Sequence, residues 1–363
     1  MKEIIFILSS LSDSHFRKRV EDFIEAGYKV QVYGFKRYGE KIPTCLPYEV
    51  HVLSEIKSRN YFARLSTYYR CFMKLTKICT GKLCFYSSLD VAMFCRRIIN
   101  SPYVYEVCDL TEMTVNQPIR SFLIRENIKA IEQSMVTILT SQGFLDYFRL
   151  NKLPNVVLLP NKISKNSPDL KGIKRKFRPN GNALKIGYVG SVRFETIYNF
   201  IKACSDYPGI EIHIYGVFAK ADQYGVMTEN LVNKAQNVFY HGAFKNPDDL
   251  ASIYASIDLL LCTYTPTDKN VLYAEPNKFY EALYFNCPII VSKNVFLGDK
   301  VTKMNVGYAI DATSTVSIKC FLDSLDENSY NSKYNSCLKI SKSECINDST
   351  ELFTILDKKE LRS

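Results

Sequence analysis

Short apolar runs rich in β-branched and aromatic residues alternate with helix-like stretches along this chain. The run Ile4–Leu8, for example, is followed by a helical pattern over Phe16–Ala26 that ends at Gly27, a residue suited to a helix C-terminus. Strands that are apolar on both faces and separated by helices predict a parallel sheet covered on both sides, so the expected fold class is α/β. The strands predicted in the first half are Ile4–Leu8, Lys29–Tyr33, Leu83–Tyr86, Tyr103–Val107, Val136–Thr140 and Val156–Leu159.

The alternation is interrupted at residues 163–183, which are rich in Lys, Arg, Pro, Gly and Asn and predict a solvated basic linker. A chain of 363 residues suggests two domains. We expect Rossmann-like domains over 1–162 and 184–346 with a cleft between them, and a helix within 347–363 that packs back on the first domain. Asn331–Ser343 is polar and predicts no defined element. The elements predicted in the second half are strands at Leu184–Val189, Ile210–Tyr215, Val238–Tyr240, Leu259–Cys262, Ile289–Val291 and Gly307–Ile310, and helices near Ile197–Ser205, Pro247–Ala255, Asn277–Phe285 and Ser349–Lys358.

Charge and composition narrow the set of partners. Lys and Arg number 47 against 37 Asp and Glu, a net charge of +10 that favours phosphates, nucleic acid or an acidic membrane surface. No aromatic-basic repeat, zinc finger or helix-turn-helix pattern supports nucleic acid. The 12 Cys include no C-x-x-C pair and the 4 His are scattered, so we expect buried free thiols in a reducing cytosol and no metal site. No apolar run reaches the roughly 18–20 residues that span a bilayer, and a cytoplasmic location is expected.

The first candidate ligand site is a turn between a strand and a helix, formed by Gly190, Ser191 and Arg193. Gly190 allows a close approach of the backbone to a ligand, and the N–H groups of the turn and of the helix start can bind an anion. The forked guanidinium of Arg193 suits phosphate. Many α/β proteins have such a turn without a ligand, so the turn alone leaves both interpretations open.

The second candidate site is residues 273–292, YAEPNKFYEALYFNCPIIVS. Pro276 can begin a helix whose first turn carries Asn277 and Lys278, with Glu281 near the same face. The N–H groups of this helix start and Lys278 can bind phosphate, and the Glu281 carboxylate can accept two ribose hydroxyls. A capped surface helix with a Lys278–Glu281 salt bridge is the alternative, but it does not explain the whole ordered run.

Together the two segments resemble the second domain of GT-B glycosyltransferases, in particular the group-1, or family-4, retaining class. The pairing of IGYVGSVRF with AEPNKFYEALYFNCPIIVS, about 85 residues apart, carries the resemblance. It covers roughly residues 1–310 and implies two Rossmann-like domains whose parallel sheets face each other across a cleft. Weaker matches in the family's order are DSHFRKRVEDFIEAGYKVQVYGF, YEVCDL, VTILTSQGFLDYF, LLPNK, IHIYGVF, VFYHGAF and LASIYASIDLLLCTY.

The resemblance assigns roles to individual residues of the donor site. Glu281 matches the second carboxylate of the family's E-x7-E motif, which holds the ribose. Tyr273 stands where the first carboxylate is expected, and Glu275 and a backbone amide are the two candidates to replace it. The nucleotide-sugar-binding residues implied are Gly190, Ser191, Arg193, Tyr215, Gly216, Pro276, Asn277, Lys278 and Glu281.

The resemblance also implies a mechanism. Arg193 matches the first of two diphosphate-binding cations. Thr196 and Ile197 occupy the stretch in which the family usually has the second, so we expect Lys278 to supply that charge. The family transfers its sugar with retention and without a D-x-D metal motif, and no Asp pair at i, i+2 occurs here. The candidate catalytic residues are Arg193, Lys278, Glu275 and Asp109, with Asp13 and His15 on the acceptor side and with a helix N-cap (Asp13) and a strand-end turn (Asp109) as the structural alternatives.

What the resemblance implies is an enzyme that moves a sugar from a UDP-sugar, or secondarily a GDP-sugar, to a hydroxyl. The expected acceptor is a saccharide or a polyprenyl-diphosphate-linked saccharide, in the biosynthesis of a cell-surface polysaccharide such as a capsule. No metal and no cofactor besides the donor are expected. Two alternatives stay open: a sugar-nucleotide 2-epimerase of the same fold, and a non-catalytic sugar-nucleotide-binding protein.

One further segment, residues 57–82, has seven cations and no acidic residue. Its apolar residues recur at helical spacing and predict an amphipathic helix. We expect its apolar stripe to pack on the first sheet and its cations to dock on anionic lipid, which would make the protein peripheral on the inner face of the plasma membrane. A solvated face without a partner is the alternative. The stripe is Tyr61, Leu65, Tyr68, Phe72 and Leu75, and the cations are Lys57, Arg59, Arg64, Arg70, Lys74, Lys77 and Lys82.

Overall fold

The structure is a computed structural model that describes residues 2–38, 42, 46–56, 61–149, 153–165, 167, 175, 177, 183–205, 207–267 and 269–360. The chain divides into two compact units, one formed by Met1–Pro160 with Asp348–Ser363 and the other by Asn161–Asn347. Each unit is a parallel sheet with helices, so the predicted α/β class with two parallel sheets is confirmed. No helix in these ranges combines the length and hydropathy of a membrane-spanning segment.

Unit 1 is built on seven parallel strands. They are β1 (Glu3–Leu8), β2 (Lys29–Arg37), β3 (Glu49–Ile56), β4 (Leu83–Tyr86), β5 (Tyr103–Val107), β6 (Val136–Leu139) and β7 (Val156–Leu158). The helices between them are α1 (Ser14–Glu25), α2 (Tyr61–Cys79), α3 (Leu89–Ile98), α4 (Ile119–Gln133) and α5 (Gln142–Phe148). In the sheet the strand order is β3-β2-β1-β4-β5-β6-β7. The central strands are buried on both faces, which is why their sequences are continuously apolar.

The edge strand β3 was not predicted from the sequence. Its residues, EVHVLSEI, are mostly half-buried or exposed, and they mix polar with apolar side chains. An edge strand that is open to solvent does not need the apolar run by which the central strands were recognised.

Unit 2 is built on six parallel strands. They are β8 (Leu184–Val192), β9 (Ile210–Phe218), β10 (Val238–Gly242), β11 (Leu259–Cys262), β12 (Ile289–Ser292) and β13 (Gly307–Ile310). Its helices are α6 (Glu195–Cys204), α7 (Gln223–Val232), α8 (Leu250–Ser256), α9 (Asn277–Tyr284), α10 (Phe296–Met304), α11 (Thr315–Asp323), α12 (Glu327–Leu338) and α13 (Lys342–Cys345). In the sheet the strand order is β10-β9-β8-β11-β12-β13. The chain then returns to unit 1 as α14 (Thr350–Glu360), whose Leu352 and Leu356 are fully buried in the core of that unit.

The prediction that Asn331–Ser343 has no defined element was wrong. Most of this segment lies in α12, and its end begins α13. Tyr330, Tyr334 and Cys337 form a buried stripe at helical spacing on α12. Ser, Asn and Lys cover the rest of the helix surface and outnumber the stripe, so the composition conceals the period.

Most of the predicted basic linker, residues 163–183, lies outside the described residues. Arg175 is described, and it contradicts a fully solvated linker because only 6% of it is exposed. Its guanidinium donates to the backbone oxygens of Tyr254, at 2.5 Å, and Phe285, at 3.2 Å. Arg175 therefore fastens this segment to the core of unit 2, because carbonyl groups near helix ends accept hydrogen bonds from cations.

Candidate functional site

The candidate site of unit 2 begins where β8 and β9 approach each other closely. Gly190 is paired with Gly216 across the two strands, and both have positive φ, +134° and +143°. A Cβ at position 216 would lie 1.8 Å from the carbonyl oxygen of Gly190. A Cβ at position 190 would lie 2.9 Å from Nζ of Lys278. The positive φ favours glycine at both positions, and at position 216 the backbone of Gly190 leaves no space for a Cβ. The Lys278 side chain lies against the backbone near the end of β8.

Lys278 is carried by the first turn of α9. Pro276 is the N-cap of this helix, with extended backbone, and its carbonyl accepts the N–H of Phe279. The two preceding N–H groups, of Asn277 and Lys278, belong to the helix start, where the backbone lacks intrahelical acceptors. Lys278 is half-buried, and its ammonium has no ion pair or hydrogen bond within the part of the chain that the structure describes. An unpaired cation beside free backbone donors favours an anionic ligand.

Arg193 follows β8 and is exposed. Its guanidinium lies 4.8 Å from the centre of the Phe194 ring, and Phe194 packs edge-to-face on Tyr264 at 4.9 Å. Ser292 fixes the backbone of Tyr264, because its Oγ accepts the N–H at 3.0 Å and donates to the carbonyl at 2.7 Å. Arg193 also has no acidic partner among the described residues. Phe194 and Tyr264 thus hold the Arg193 guanidinium in position, and its five N–H donors stay available to a ligand.

The end of β11 lies near both cations, Lys278 and Arg193. Cys262 lies near Lys278, Tyr264 lies near Arg193, and the Cys262 Sγ and Tyr264 Oη atoms are 3.8 Å apart. Burial raises the pKa of the Cys262 thiol to about 11, and the Lys278 charge acts against this rise. Burial also raises the pKa of the Tyr264 hydroxyl, and the charge of Arg193 opposes this rise. The structure therefore brings the Gly190–Arg193 turn and the start of α9 together around the carboxyl ends of β8 and β11.

Glu281 lies one turn further along α9 and is only 3% exposed. Its Oε2 accepts the Tyr254 hydroxyl at 2.9 Å, and its Oε1 accepts the Asn277 side-chain N–H at 2.6 Å. The alternative of a Lys278–Glu281 salt bridge is not found. Each carboxylate oxygen has a lone pair left for a second donor. Tyr254 was not predicted as a partner, although a tyrosine within the apolar segment LASIYAS was a signal that its hydroxyl needs a buried acceptor.

Glu275 does not fill the role expected for it. Its side chain has no exposed surface, and its carboxylate is held by Lys300, at 2.9 Å, and by the Tyr280 hydroxyl. This pair joins the segment before α9 to α10, and Lys300 already neutralises the Glu275 carboxylate, which argues against the expectation that Glu275 replaces a carboxylate at position 273. Thr196 and Ile197 are also fully buried, in α6, so that stretch has no room for a cation.

Tyr215 and Gly216 lie at the end of β9. The Tyr215 ring stacks on His241 with centroids 4.3 Å apart, and its hydroxyl lies 2.8 Å from Oγ of Ser256. The Gly216 carbonyl accepts the hydroxyl of Tyr240 at 3.0 Å. Both residues are thus fixed by aromatic neighbours at the same sheet edge as Gly190.

The three candidates of unit 1 lie near the ends of β1 and β5. Asp13 is exposed and is the N-cap of α1, accepting the N–H of His15 at 3.0 Å, as the structural alternative proposed. Nε2 of His15 lies 2.9 Å from Oε1 of Glu106, which lies within β5. Asp109 is exposed just beyond β5. The structure therefore brings His15 to the sheet through a carboxylate that was not predicted.

Glu106 is fully buried and is bound by Arg19 at 2.9 Å. Burial by itself would raise its pKa, but Arg19 and His15 together lower it to about 2. A single Glu within the apolar run YVYEV was the sequence signal for a buried charge. Cys108 Sγ, His15 and Glu106 offer ligand atoms within 4.8 Å of one another. Arg19 already occupies Glu106 and burial raises the Cys108 pKa, so this cluster suits a metal poorly.

Comparison with known proteins places this geometry in context. No protein-family model matches the chain. The succinoglycan biosynthesis protein ExoL of Rhizobium meliloti (strain 1021) is 20% identical over an alignment of 353 residues, which covers 91% of this chain and 86% of ExoL.

Solved structures match the chain over nearly its full length. Sucrose-phosphate synthase from Thermosynechococcus elongatus matches with a TM-score of 0.68 and 16% identity, covering 100% of this chain and 98% of its own. HepE from Anabaena, in complex with UDP-glucose, matches with a TM-score of 0.68 and 14% identity over 99% and 100% of the two chains. WaaG, a glycosyltransferase involved in lipopolysaccharide biosynthesis, matches with a TM-score of 0.60 and 14% identity over 94% and 97%. The resemblance to GT-B glycosyltransferases is therefore confirmed at the level of the fold.

Proposed function

We propose that this chain is a glycosyltransferase that binds a nucleotide-diphosphate sugar in unit 2. One observation carries the proposal: Lys278 and Arg193, two cations with no acidic partner among the residues that the structure describes, lie beside Gly190 of β8 and the start of α9. The diphosphate of a sugar nucleotide supplies the negative charge that this arrangement lacks. UDP-sugar is the favoured donor, because HepE was solved with UDP-glucose, and GDP-sugar is the second choice.

Each end of the donor has a proposed place. The N–H groups of Asn277 and Lys278 and the guanidinium of Arg193 bind the diphosphate, which approaches the backbone at Gly190. Glu281, held in orientation by Tyr254 and Asn277, accepts hydroxyl groups of the ribose. The remaining proposed donor contacts are Ser191, Tyr215, Gly216 and Pro276.

The proposed reaction breaks the bond between the anomeric carbon and the diphosphate oxygen and forms a bond from that carbon to an acceptor oxygen. The acceptor's proton ends on the leaving diphosphate. Arg193 and Lys278 stabilise the negative charge that grows on this leaving group, which lowers the barrier. We propose that the transfer proceeds with retention and without a metal, and that Asp13, His15 and Asp109 of unit 1 contact the acceptor.

The acceptor we propose is a saccharide or a polyprenyl-diphosphate-linked saccharide, in cell-surface polysaccharide biosynthesis such as that of a capsule. The similarity to ExoL supports polysaccharide biosynthesis, and the family-4 class remains part of the proposal. A cytoplasmic enzyme of this kind would meet a lipid-linked acceptor at the inner face of the plasma membrane.

The exposed face of α2 supports a peripheral membrane location. Leu65, Tyr69 and Met73 are 42%, 53% and 46% exposed and lie four residues apart, on one side of the helix. Exposed Arg70 and Lys74 flank them, and no acidic residue lies between Glu55 and Asp90. An apolar strip bordered by cations fits the interface of an anionic bilayer.

One other function has a specific observation in its favour. With Tyr273 in place of a carboxylate and Glu275 buried, a sugar-nucleotide-binding protein without turnover is the second candidate. A 2-epimerase would instead convert the donor sugar without an acceptor.

The test is a screen of UDP- and GDP-sugars by mass-detected hydrolysis and transfer, with the full chain. We expect slow hydrolysis of one donor and a large reduction in Lys278→Ala. The matched control is Lys234→Ala, which removes an exposed lysine of the same unit and should keep full activity. Nucleotide binding without turnover would favour the sugar-nucleotide-binding protein, and formation of an epimer would favour the 2-epimerase. The absence of nucleotide binding would refute the proposal.

A further inference from the structure

Unit 1 contains a cavity of about 730 Å³ at an edge of its sheet that the proposed reaction does not use. All but one of its lining residues stand at the start of β1, β4, β5 or β6 or within the three preceding residues, so the cavity lies at the amino ends of these strands. The acceptor candidates Asp13, His15 and Asp109 follow the carboxyl ends of β1 and β5 instead. The cavity is therefore separate from the proposed acceptor contacts, and its volume is that of a small-molecule pocket.

Three lysines line this cavity, and two of them are held in ion pairs. Nζ of Lys2 lies 2.6 Å from Oδ1 of Asp357, and Nζ of Lys82 lies 3.2 Å from Oε2 of Glu3. The other carboxylate oxygen of Glu3 lies 3.6 Å from Nζ of Lys29. Lys2 and Lys82 keep 47% and 42% of their side chains exposed, so both can also contact a ligand.

Lys359 is the third lysine of the wall and lies in the last turn of α14. Its ammonium has no ion pair or hydrogen bond in the ranges that the structure describes. The side chain is partly buried, and this burial lowers the pKa of Lys359. A cation that loses hydration without gaining an acidic partner favours an anionic ligand.

Neutral groups complete the wall of the cavity. The side-chain oxygen of Gln133 accepts a hydrogen bond from Nη1 of Arg96 at 3.0 Å, and its amide N–H groups have no acceptor among the described residues. Leu83, Pro102 and Met135 add apolar surface. The cavity can therefore receive a molecule that is anionic at one end and apolar at the other.

We propose that this cavity binds a phosphate monoester with an apolar organic portion, and that Lys359 is its main anchor. A phosphate monoester carries about −1.5 to −2 charges at pH 7. This charge matches the excess of four lysines over two carboxylates around the cavity. Lysine binds phosphate as a point charge, and the organic portion rests on the apolar wall.

Calorimetric titration with 1-naphthyl phosphate tests the site. Every protein titrated carries Arg193→Ala and Lys278→Ala, which remove the two cations of the proposed donor site. We expect one naphthyl phosphate per chain and roughly tenfold weaker binding of inorganic phosphate, because inorganic phosphate has no apolar portion to bury. 1-Naphthol should not bind, because it lacks the charge that Lys359 requires.

The chain offers a matched control in Lys358, the neighbour of Lys359 on α14. Lys358 is exposed and does not line the cavity. Lys359→Met should weaken the binding of naphthyl phosphate roughly tenfold, since a charge-assisted contact is lost, and Lys358→Met should leave it unchanged. Equal affinities of the two variants, equal affinities for naphthyl phosphate and inorganic phosphate, or no binding at all would overturn the proposal.

Amine acetylation of the chain without substitutions guards against misfolded variants. An N-hydroxysuccinimide ester should acetylate both Lys358 and Lys359, and mass spectrometry of the peptides measures each rate. Naphthyl phosphate should slow the acetylation of Lys359 and leave that of Lys358 unchanged. Unchanged acetylation of Lys359 in the presence of naphthyl phosphate would overturn the site.

A soluble metabolite and a lipid headgroup both carry this phosphate chemistry. Dihexanoyl phosphatidic acid presents the phosphate monoester on a lipid, and its Lys359-dependent binding can be compared with that of naphthyl phosphate. Tighter binding of the lipid would assign a headgroup as the source, and weaker binding would assign a soluble metabolite; either result supports the site. None of these readouts depends on sugar transfer or donor binding, so this inference and the proposed function fail separately.

Discussion

At the scale of single residues, the candidate site depends on which charges have partners and which do not. Glu275 and Glu106 are carboxylates that burial and basic partners have committed to the structure. Arg193 and Lys278 are cations that no acidic residue in the described part of the chain neutralises, at a place where the backbone also presents donors. A charged group that is left unpaired in an otherwise satisfied environment points to a ligand.

Arg193 is expected to account for a measurable part of nucleotide affinity. Arg193→Ala should weaken UDP binding by about 2 kcal/mol, or roughly 30-fold, because charge-assisted hydrogen bonds to the diphosphate are lost. The UDP affinity of Arg193→Lys should lie between those of the wild type and Arg193→Ala, since lysine keeps the positive charge but loses the paired guanidinium donors. Titration calorimetry with UDP measures both, and an unchanged affinity in Arg193→Ala would remove this residue from the site.

Glu106 predicts a pH dependence of stability. Its pKa is about 2 in the folded protein against an ordinary value of 4.5, so its charged form stabilises the fold above pH 4.5 by about 3 kcal/mol. This contribution is lost as the pH falls from 4.5 toward 2, when the carboxylate takes up a proton. Urea unfolding should show Glu106→Gln much less stable than the wild type at pH 7, with the difference shrinking at pH 3. An equal difference at both pH values would contradict this account.

At the scale of elements, the glycines at the ends of β8 and β9 and the start of α9 explain why this sheet edge can receive a ligand. Gly216 lets the two strands approach, and Gly190 leaves space that the Lys278 side chain occupies. The first turn of α9 then adds backbone donors at the same place. Carboxyl ends of parallel strands are the usual position of ligands in such folds.

The exposed face of α2 predicts binding to anionic vesicles at low salt. Reversal of Arg70, Lys74 and Lys77 to Glu should abolish this binding, since the attraction is electrostatic and screened by salt. The control is the same reversal at Lys234, Lys303 and Lys339, exposed residues of unit 2, which changes the net charge equally. Co-sedimentation with vesicles rich in phosphatidylglycerol measures both.

If the wild-type protein does not bind those vesicles, the membrane part of the proposal is wrong. If both reversals abolish binding, only the net charge matters and α2 is not the docking surface. The apolar part of the prediction already needs one correction. Leu65 was assigned to the buried stripe, and the structure places it on the exposed face, whereas Tyr68, Phe72 and Leu75 are buried.

At the scale of the whole molecule, each unit completes its own sheet, but unit 1 is not continuous in sequence. The last helix, α14, contributes Leu352 and Leu356 to the core of unit 1 after the chain has built all of unit 2. The Ser349 hydroxyl donates to Asp22 at 2.7 Å, and Asp22 also binds the buried Arg19. The C-terminal segment is therefore part of the polar network that supports Glu106 and His15.

The sequence by itself determined the features that depend on local periodicity. Apolar runs gave the central strands, because a strand buried on both faces must be apolar throughout. Glycine and proline marked the ends of β8 and the start of α9, because their backbone preferences act within a few residues. The GT-B fold was implied by the resemblance of these motifs, in their order, to GT-B glycosyltransferases, and the structural neighbours confirm it.

Tertiary structure alone decided which polar groups are paired. Glu275 and Glu281 lie six residues apart with the same side chain, yet Lys300 forms an ion pair with the first while Tyr254 and Asn277 hold the second. His213 and His241 meet because two strands lie side by side, although 27 residues separate them in the chain. Pairing depends on distances between residues far apart in sequence, and a local pattern carries no information about those distances.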